Sequence, residues 1–158
     1  MLINQQLLVF AICLALSVIG NDARTLTGLE IKQAKFCDPH DETAKIQIYP
    51  WPFIPSGKRC NISLTFIPAV DVFAATLEAE LTWEPESDYP FVQRYRYYVC
   101  PRFPEMCSLP AGETHVWTLS DVMTSLPPGF KMTTRVVIQI YNEDHIMFAG
   151  TEIVATTH

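Results

Sequence analysis

The chain has 158 residues, a mass of 17.9 kDa and a formal net charge of -6. That length suits one domain, which buries roughly two-thirds of its unfolded surface and so has a real core. With 49% hydrophobic and 18% charged residues, the composition excludes a disordered chain and a polytopic membrane protein. The acidic balance argues against a nucleic-acid-binding module, because such modules carry a basic face for phosphates.

The amino terminus has the pattern of a secretory signal peptide. Residues 7–20 read LLVFAICLALSVIG, without a charge, and end in small residues before a polar stretch. A membrane span needs about 20 apolar residues, so this run is too short to cross a bilayer. We expect residues 1–20 to be removed, with cleavage after Gly20 or as late as Ala23, leaving 21–158 as one domain. A buried or anchoring N-terminal helix is the alternative.

This leader predicts a protein that is secreted or delivered to the endolysosomal lumen. Cleavage removes Cys13 and leaves an even number of cysteines, which in an oxidising compartment predicts disulfides. Cys100 and Cys107 flank a short proline-containing turn, and we predict that they pair. Asn61 begins an Asn-Ile-Ser sequon and is predicted to carry a glycan.

Alternation of apolar and polar residues with a period of two dominates the rest of the chain. It predicts about seven strands, at 45–49, 59–67, 73–84, 92–100, 114–120, 130–142 and 146–155. The intervening breaks are rich in Pro, Gly, Asn and Asp, which favour turns. Many half-buried antiparallel strands joined by turns predict an all-β fold, an immunoglobulin-like sandwich of two sheets.

No motif of a catalytic or phosphate-binding site occurs in the sequence, so neither an enzyme nor a cofactor is expected. Asp38, His40, Asp41 and Glu42 offer oxygen and imidazole ligands within one short segment. A solvated, charged approach to the first strand explains them better, because no second ligand cluster with suitable spacing exists. No metal site is therefore predicted.

One pattern favours an adhesion domain. Cys60, Trp83 and Cys100 occur in the order Cys, Trp, Cys, and Tyr98 stands two residues before Cys100, as in the tyrosine corner of immunoglobulin domains. The two cysteines are close together in sequence for a bridge between sheets. An adhesion or receptor-type interaction domain without lipid is kept as the alternative function.

The most specific pattern is an order of short motifs. Upstream are FCD at 36–38 and IxIxPxP at 46–52; downstream are CP at 100–101, CSLPAG at 107–112, PPGF at 127–130 and a turn at 142–144. Over residues 36–155 this order resembles the ML domain, the small lipid-recognition sandwich. Members of that family include the Niemann–Pick type C small sterol carrier, the phosphatidylglycerol/phosphatidylinositol transfer proteins, the lipopolysaccharide co-receptor and the group 2 mite allergens.

The resemblance implies two sheets splayed around an apolar cavity, with a lipid tail between them and its polar head at the rim. The implied function is a secreted lipid-binding or transfer protein that holds one sterol or phospholipid tail and performs no chemistry. Presentation of a glycolipid and innate-immune lipid recognition are further alternatives within the family. The partners expected are a sterol, phospholipid or glycolipid, a transiently contacted membrane and an unidentified protein acceptor, but no nucleic acid.

The predicted inward faces carry no charge, as a lipid pocket requires. An empty pocket of about 400 Å³ would cost on the order of 10 kcal/mol, so we expect either lipid filling or collapse. A closed core is the alternative. The expected lipid contacts are inward apolar and aromatic side chains: Ile62, Leu64, Phe66, Phe73, Leu77, Leu81, Trp83, Tyr95, Tyr97, Trp117, Met132, Val136, Ile138, Ile140 and Phe148.

Trp51, Phe53 and Ile54 are apolar for a loop, which indicates a pocket rim or membrane contact, with packing under the sandwich edge as the equal alternative.

In the family the first cysteine bridges to the last strand, but residues 147–151 here lack cysteine. Exclusion leaves Cys37 to pair with Cys60. However, a hairpin of 45–49 with 59–67 puts the two at opposite ends, beyond the 7 Å Cα limit for a disulfide.

Overall fold

The computed structural model describes residues 28–37, 44–86, 89–101, 103–122 and 131–157. The predicted signal peptide and the acidic segment with Asp38 and His40 lie outside these ranges. No helix within them is long and apolar enough to cross a bilayer. No three His, Cys, Asp or Glu side chains within them are grouped as metal ligands would be.

The described chain folds as two antiparallel sheets. The strands are β1 Gly28–Phe36, β2 Lys45–Tyr49, β3 Phe53–Pro55, β4 Arg59–Phe66, β5 Thr76–Pro85, β6 Phe91–Tyr98, β7 His115–Val122, β8 Met132–Tyr141 and β9 Met147–Thr157, with one 3-10 turn at Pro104–Met106. The six-stranded sheet has the order β3-β1-β9-β8-β5-β6, and the three-stranded sheet has the order β2-β4-β7. The predicted all-β sandwich is confirmed, and each predicted strand is present.

Two strands were not predicted. β1 pairs with β9, but its register shifts between Ile31 and Gln33, and this bulge breaks the period-two alternation that marks a strand. β3 has three residues and pairs with the start of β1. It is too short for alternation to reveal it.

The strands of both sheets begin and end at two opposite ends of the sandwich. Gly28, Tyr49, Arg59, Phe91 and Val122 begin or end strands at one end, which we call the proline-loop end. The other end, where the chain from Cys100 to Cys107 lies, is called the disulfide end. There the ring of Phe66 joins both sheets. It lies 6.2 Å from Phe36, 6.1 Å from His115, 4.5 Å from Trp117 and 6.1 Å from Phe148, measured between ring centroids.

The outer face of the large sheet carries a three-residue ion cluster. The Glu152 carboxylate lies 2.5 Å from both Lys35 Nζ and Arg135 Nε, and its side chain is 12% exposed. Hydrogen bonds from Lys35 and then Arg135 hold the pKa of the Glu152 carboxyl below its ordinary value. The hydrogen bond to Glu152 in turn raises the pKa of Lys35.

Glu152→Gln is expected to lower the melting temperature by a few degrees at neutral pH. Because the folded pKa of Glu152 is lowered, its stabilisation is present above the ordinary carboxyl pKa of about 4.3 and is lost as the pH falls through the depressed value. The gap between wild type and variant should therefore close in acid, which thermal unfolding at a series of pH values measures. Glu80→Gln is the matched control, because the Glu80–Arg94 pair on the same face is more exposed. A gap that persists in acid contradicts the assignment.

Candidate functional site

The inner faces of both sheets form one apolar layer. Most of the predicted contact residues are buried in it: Ile62, Leu64, Phe66, Leu77, Leu81, Trp83, Trp117, Met132, Val136, Ile138, Ile140 and Phe148. Tyr95 and Tyr97 are half-buried at the edge of the layer. The strands therefore bring these fourteen predicted residues to one side of their sheets, as alternation requires.

Phe73 was predicted to belong to the same layer, and that prediction is wrong. Its side chain is 69% exposed. β5 begins only at Thr76, and residues 73–74 form a bend whose backbone nitrogens donate to Glu143 Oε2 at 3.1 and 3.0 Å. The alternation in the sequence extends back to Phe73, although the hydrogen bonds to the Glu143 carboxylate hold residues 73–74 outside the strand.

The sheets are not splayed as the resemblance implied, and the layer between them is nearly closed around a small cavity. Its volume is about 20 Å³ and its lining is entirely apolar in surface. Six of the predicted residues line it, namely Ile62, Leu64, Leu77, Trp117, Ile138 and Ile140. A cavity of this size holds about one water molecule. The two sheets are therefore closely packed, in line with the high cost of an open, unfilled pocket.

The edge strand β6 forms an aromatic rim beside the layer. The three-stranded sheet is half as wide as its partner, so it leaves part of the six-stranded sheet uncovered. Phe91 lies opposite Trp83 and stacks on it with ring centroids 4.6 Å apart, yet Phe91 is 53% exposed. Tyr95 stacks with Tyr97 at 6.1 Å. We call Phe91, Tyr95 and Tyr97 the β6 rim.

Comparison with solved structures identifies this architecture. The crystal structure of chicken MD-1 complexed with lipid IVa matches with a TM-score of 0.52 and 15% sequence identity, covering 85% of this chain and 92% of that one. The chain has the ML-domain fold. A Niemann-Pick type C2 protein from Japanese carpenter ant matches with a TM-score of 0.44, 16% identity and coverage of 87% and 97%. A scan against protein-family models and a search of curated proteins found no match.

Four residues of the cavity lining were missed by the sequence reading. Met106, Leu119, Gly150 and Thr151 complete the lining within the ML-domain fold. Leu119 alternates with Trp117 on β7 and so had a usable signal. Met106 had none, because it belongs to the 3-10 turn inside the disulfide loop. Gly150 and Thr151 are small or polar and do not stand out as apolar contacts.

The three predicted rim residues in the proline-rich loop differ in their exposure. Trp51 is 53% exposed, Phe53 is half-buried and Ile54 is 3% exposed in the core. Ile54 of β3 pairs with Leu29 of β1, so Ile54 packs under the edge of the sandwich, which was the alternative expectation. Tyr49, two residues before Trp51 in the chain, is 72% exposed. Contact of Trp51 or Phe53 with a membrane or pocket rim stays a prediction.

The cysteines follow the predictions in part. Cys100 and Cys107 form a disulfide with their Cα atoms 5.8 Å apart, as predicted. The predicted Cys37–Cys60 bridge is wrong, since both thiols are free. Cys37 lies at the disulfide end and Cys60 at the proline-loop end, so the geometric objection holds. Cys60 is buried, and this burial raises the pKa of its thiol to about 11.

Asn61 lies on the outer face of β4, between Tyr49 of β2 and Ser120 of β7. Its side chain is half-buried. The outward direction agrees with the face that alternation assigned to it. Glycosylation at Asn61 stays a prediction.

Proposed function

We propose that the protein binds a lipid whose apolar tail inserts between the two sheets. The observation that carries the proposal is the apolar lining of the cavity formed by residues such as Ile62, Trp117 and Ile138. Burial of a tail there contributes about 25 cal/mol per Å² of apolar surface removed from water. No chemical step is required of any residue, and the protein acts by binding alone.

The β6 rim is the proposed entrance. Phe91, Tyr95 and Tyr97 remain partly exposed where the smaller sheet gives no cover, and Leu119 on β7 is half-buried. Moving these side chains aside breaks no strand pairing, because β6 pairs with β5 through its backbone. Phospholipid, sterol and glycolipid tails all suit such an apolar layer. We propose secretion or an endolysosomal location for the mature chain, in keeping with the predicted leader.

Tryptophan fluorescence with a brominated fatty acid tests the insertion, because bromine quenches indoles only at close range. Dibromostearate should quench the wild type, and stearate should not. Quenching should persist in Trp51→Phe, which removes the 53% exposed indole, and should fall most in Trp117→Phe, which removes the indole in the cavity wall.

The matched pair of variants separates insertion from adsorption. Loss of quenching in Trp51→Phe together with its retention in Trp117→Phe places the fatty acid on the surface and contradicts the proposal. A wild type that dibromostearate does not quench contradicts it as well.

A further inference from the structure

Thr134 places a hydroxyl inside the apolar layer. Its side chain is 3% exposed and faces inward on β8 between Met132 and Val136. Its cross-strand neighbours are Trp83 on β5 and Ala155 on β9, both buried. The Oγ1 atom has no hydrogen-bond partner among the residues that the structure describes. A buried hydroxyl without a hydrogen-bond partner costs free energy, so binding of a ligand that supplies such a partner is favoured.

Two other buried threonines have partners for their hydroxyls, whereas Thr156 Oγ1, opposite Thr133 on the outer face, has none among the described residues. Thr151 Oγ1 donates to the Lys35 carbonyl oxygen at 3.1 Å. Thr157 Oγ1 accepts from the Met132 backbone nitrogen at 2.9 Å. Thr134 therefore differs from both, although all three are equally enclosed.

The position of Thr134 relates its hydroxyl to the cavity. Ile138 and Ile140, which line the cavity, lie on the same face of β8. At about 3.3 Å per residue, Thr134 is about 13 Å from Ile138 and about 20 Å from Ile140 along the strand. A tail in the cavity that continues toward the proline-loop end reaches Thr134 over roughly the length of an extended palmitoyl chain.

We infer that Thr134 Oγ1 hydrogen-bonds one uncharged hydroxyl or carbonyl group of the bound lipid, with the tail directed toward Ile138 and Ile140. This inference rests on the proposed function and adds the class of lipid. The inward-facing neighbours of Thr134 on β8, β5 and β9 are uncharged, so a charged group placed there loses its hydration without compensation.

The test compares three probes of equal chain length on wild type and Thr134→Val. Valine keeps the shape of threonine and removes only the hydroxyl. Binding of radiolabelled 1-hexadecanol, methyl palmitate and hexadecane is measured after delivery from cyclodextrin. We expect Thr134→Val to weaken binding of the hexadecanol or the ester by about two- to tenfold and to leave hexadecane binding unchanged or stronger. Whichever polar probe is weakened identifies a hydroxyl or a carbonyl as the partner.

Thr133→Val is the matched control, since Thr133 is the adjacent residue on the outer face of β8 and should change no probe. The unliganded Thr134→Val protein should also melt higher than wild type, because the unpaired hydroxyl is gone. Equal affinity of wild type and Thr134→Val for both polar probes overturns the inference while leaving the proposed function intact. A wild type that binds none of the three probes overturns both.

Discussion

Phe66→Ala is expected to lower the free energy of unfolding by about 3–5 kcal/mol, measured by urea denaturation. The Phe66 side chain is fully buried, at 0% exposure, and its ring contacts Phe36, Trp117 and Phe148 from three other strands. Removing the Phe66 ring leaves a hole at the centre of the aromatic cluster that joins the two sheets at the disulfide end. The surrounding rings cannot collapse into the space without moving whole strands, so a cavity remains.

Phe73→Ala supplies the matched control for this prediction. The same chemical change at a side chain that is 69% exposed should alter stability by less than about 0.5 kcal/mol. A comparable loss in both variants, or a loss below about 1 kcal/mol in Phe66→Ala, contradicts the role given to the aromatic cluster.

Gly150→Cys is expected to form a new disulfide with Cys37 under oxidising conditions. The Cys37 nitrogen donates to the Gly150 carbonyl oxygen at 2.8 Å, so Cys37, directly after β1, lies opposite Gly150 of β9. A Cβ built on Gly150 lies 3.4 Å from the Cys37 Cβ, close to the 3.5–4.5 Å of disulfides. The substitution restores the bridge from the first cysteine to the last strand that the ML-domain resemblance implies and this chain lacks.

The expected gain in stability is about 2–4 kcal/mol, because the bridge closes a loop of about 110 residues in the unfolded chain. The gain lies below the chain-entropy value because the new Cβ is 3.2 Å from the Ile138 carbonyl oxygen. Thiol titration of unfolded residues 21–158 should find the Cys60 thiol alone, and the melting temperature should fall on reduction by more than in wild type. Gly150→Ser isolates the crowding cost. Persistence of the Cys37 thiol in Gly150→Cys contradicts the geometry.

Alternation in the sequence was sufficient to predict the strands that have one buried face and one more exposed face. β4, β5 and β8 each carry buried and partly exposed residues in strict turn, so their inward residues could be assigned before the structure. β1 could not be assigned, because a bulge shifts its phase. Phe73 continues the pattern of β5 but lies outside it, because the contact with Glu143 comes from a distant turn that local sequence does not report.

The inner apolar layer was predictable in composition but not in volume. Ile62, Trp117 and Ile138 were expected to face one another, and they do. How far apart the sheets stand depends on packing between strands distant in sequence, so alternation cannot distinguish a splayed pair from a closed one. Met106 and the contact of Cys37 with Gly150 depend in the same way on long-range geometry.

Native mass spectrometry of the protein purified from a eukaryotic secretion medium tests the central claim most directly. Insertion of a tail between the sheets predicts a species heavier by the mass of one lipid than the same protein after solvent extraction, which releases the lipid for identification. Ile138→Trp, which fills the cavity wall, should reduce that species relative to Val137→Trp on the outer face. A wild type that carries no lipid, and takes up none when lipid vesicles are added, contradicts the account.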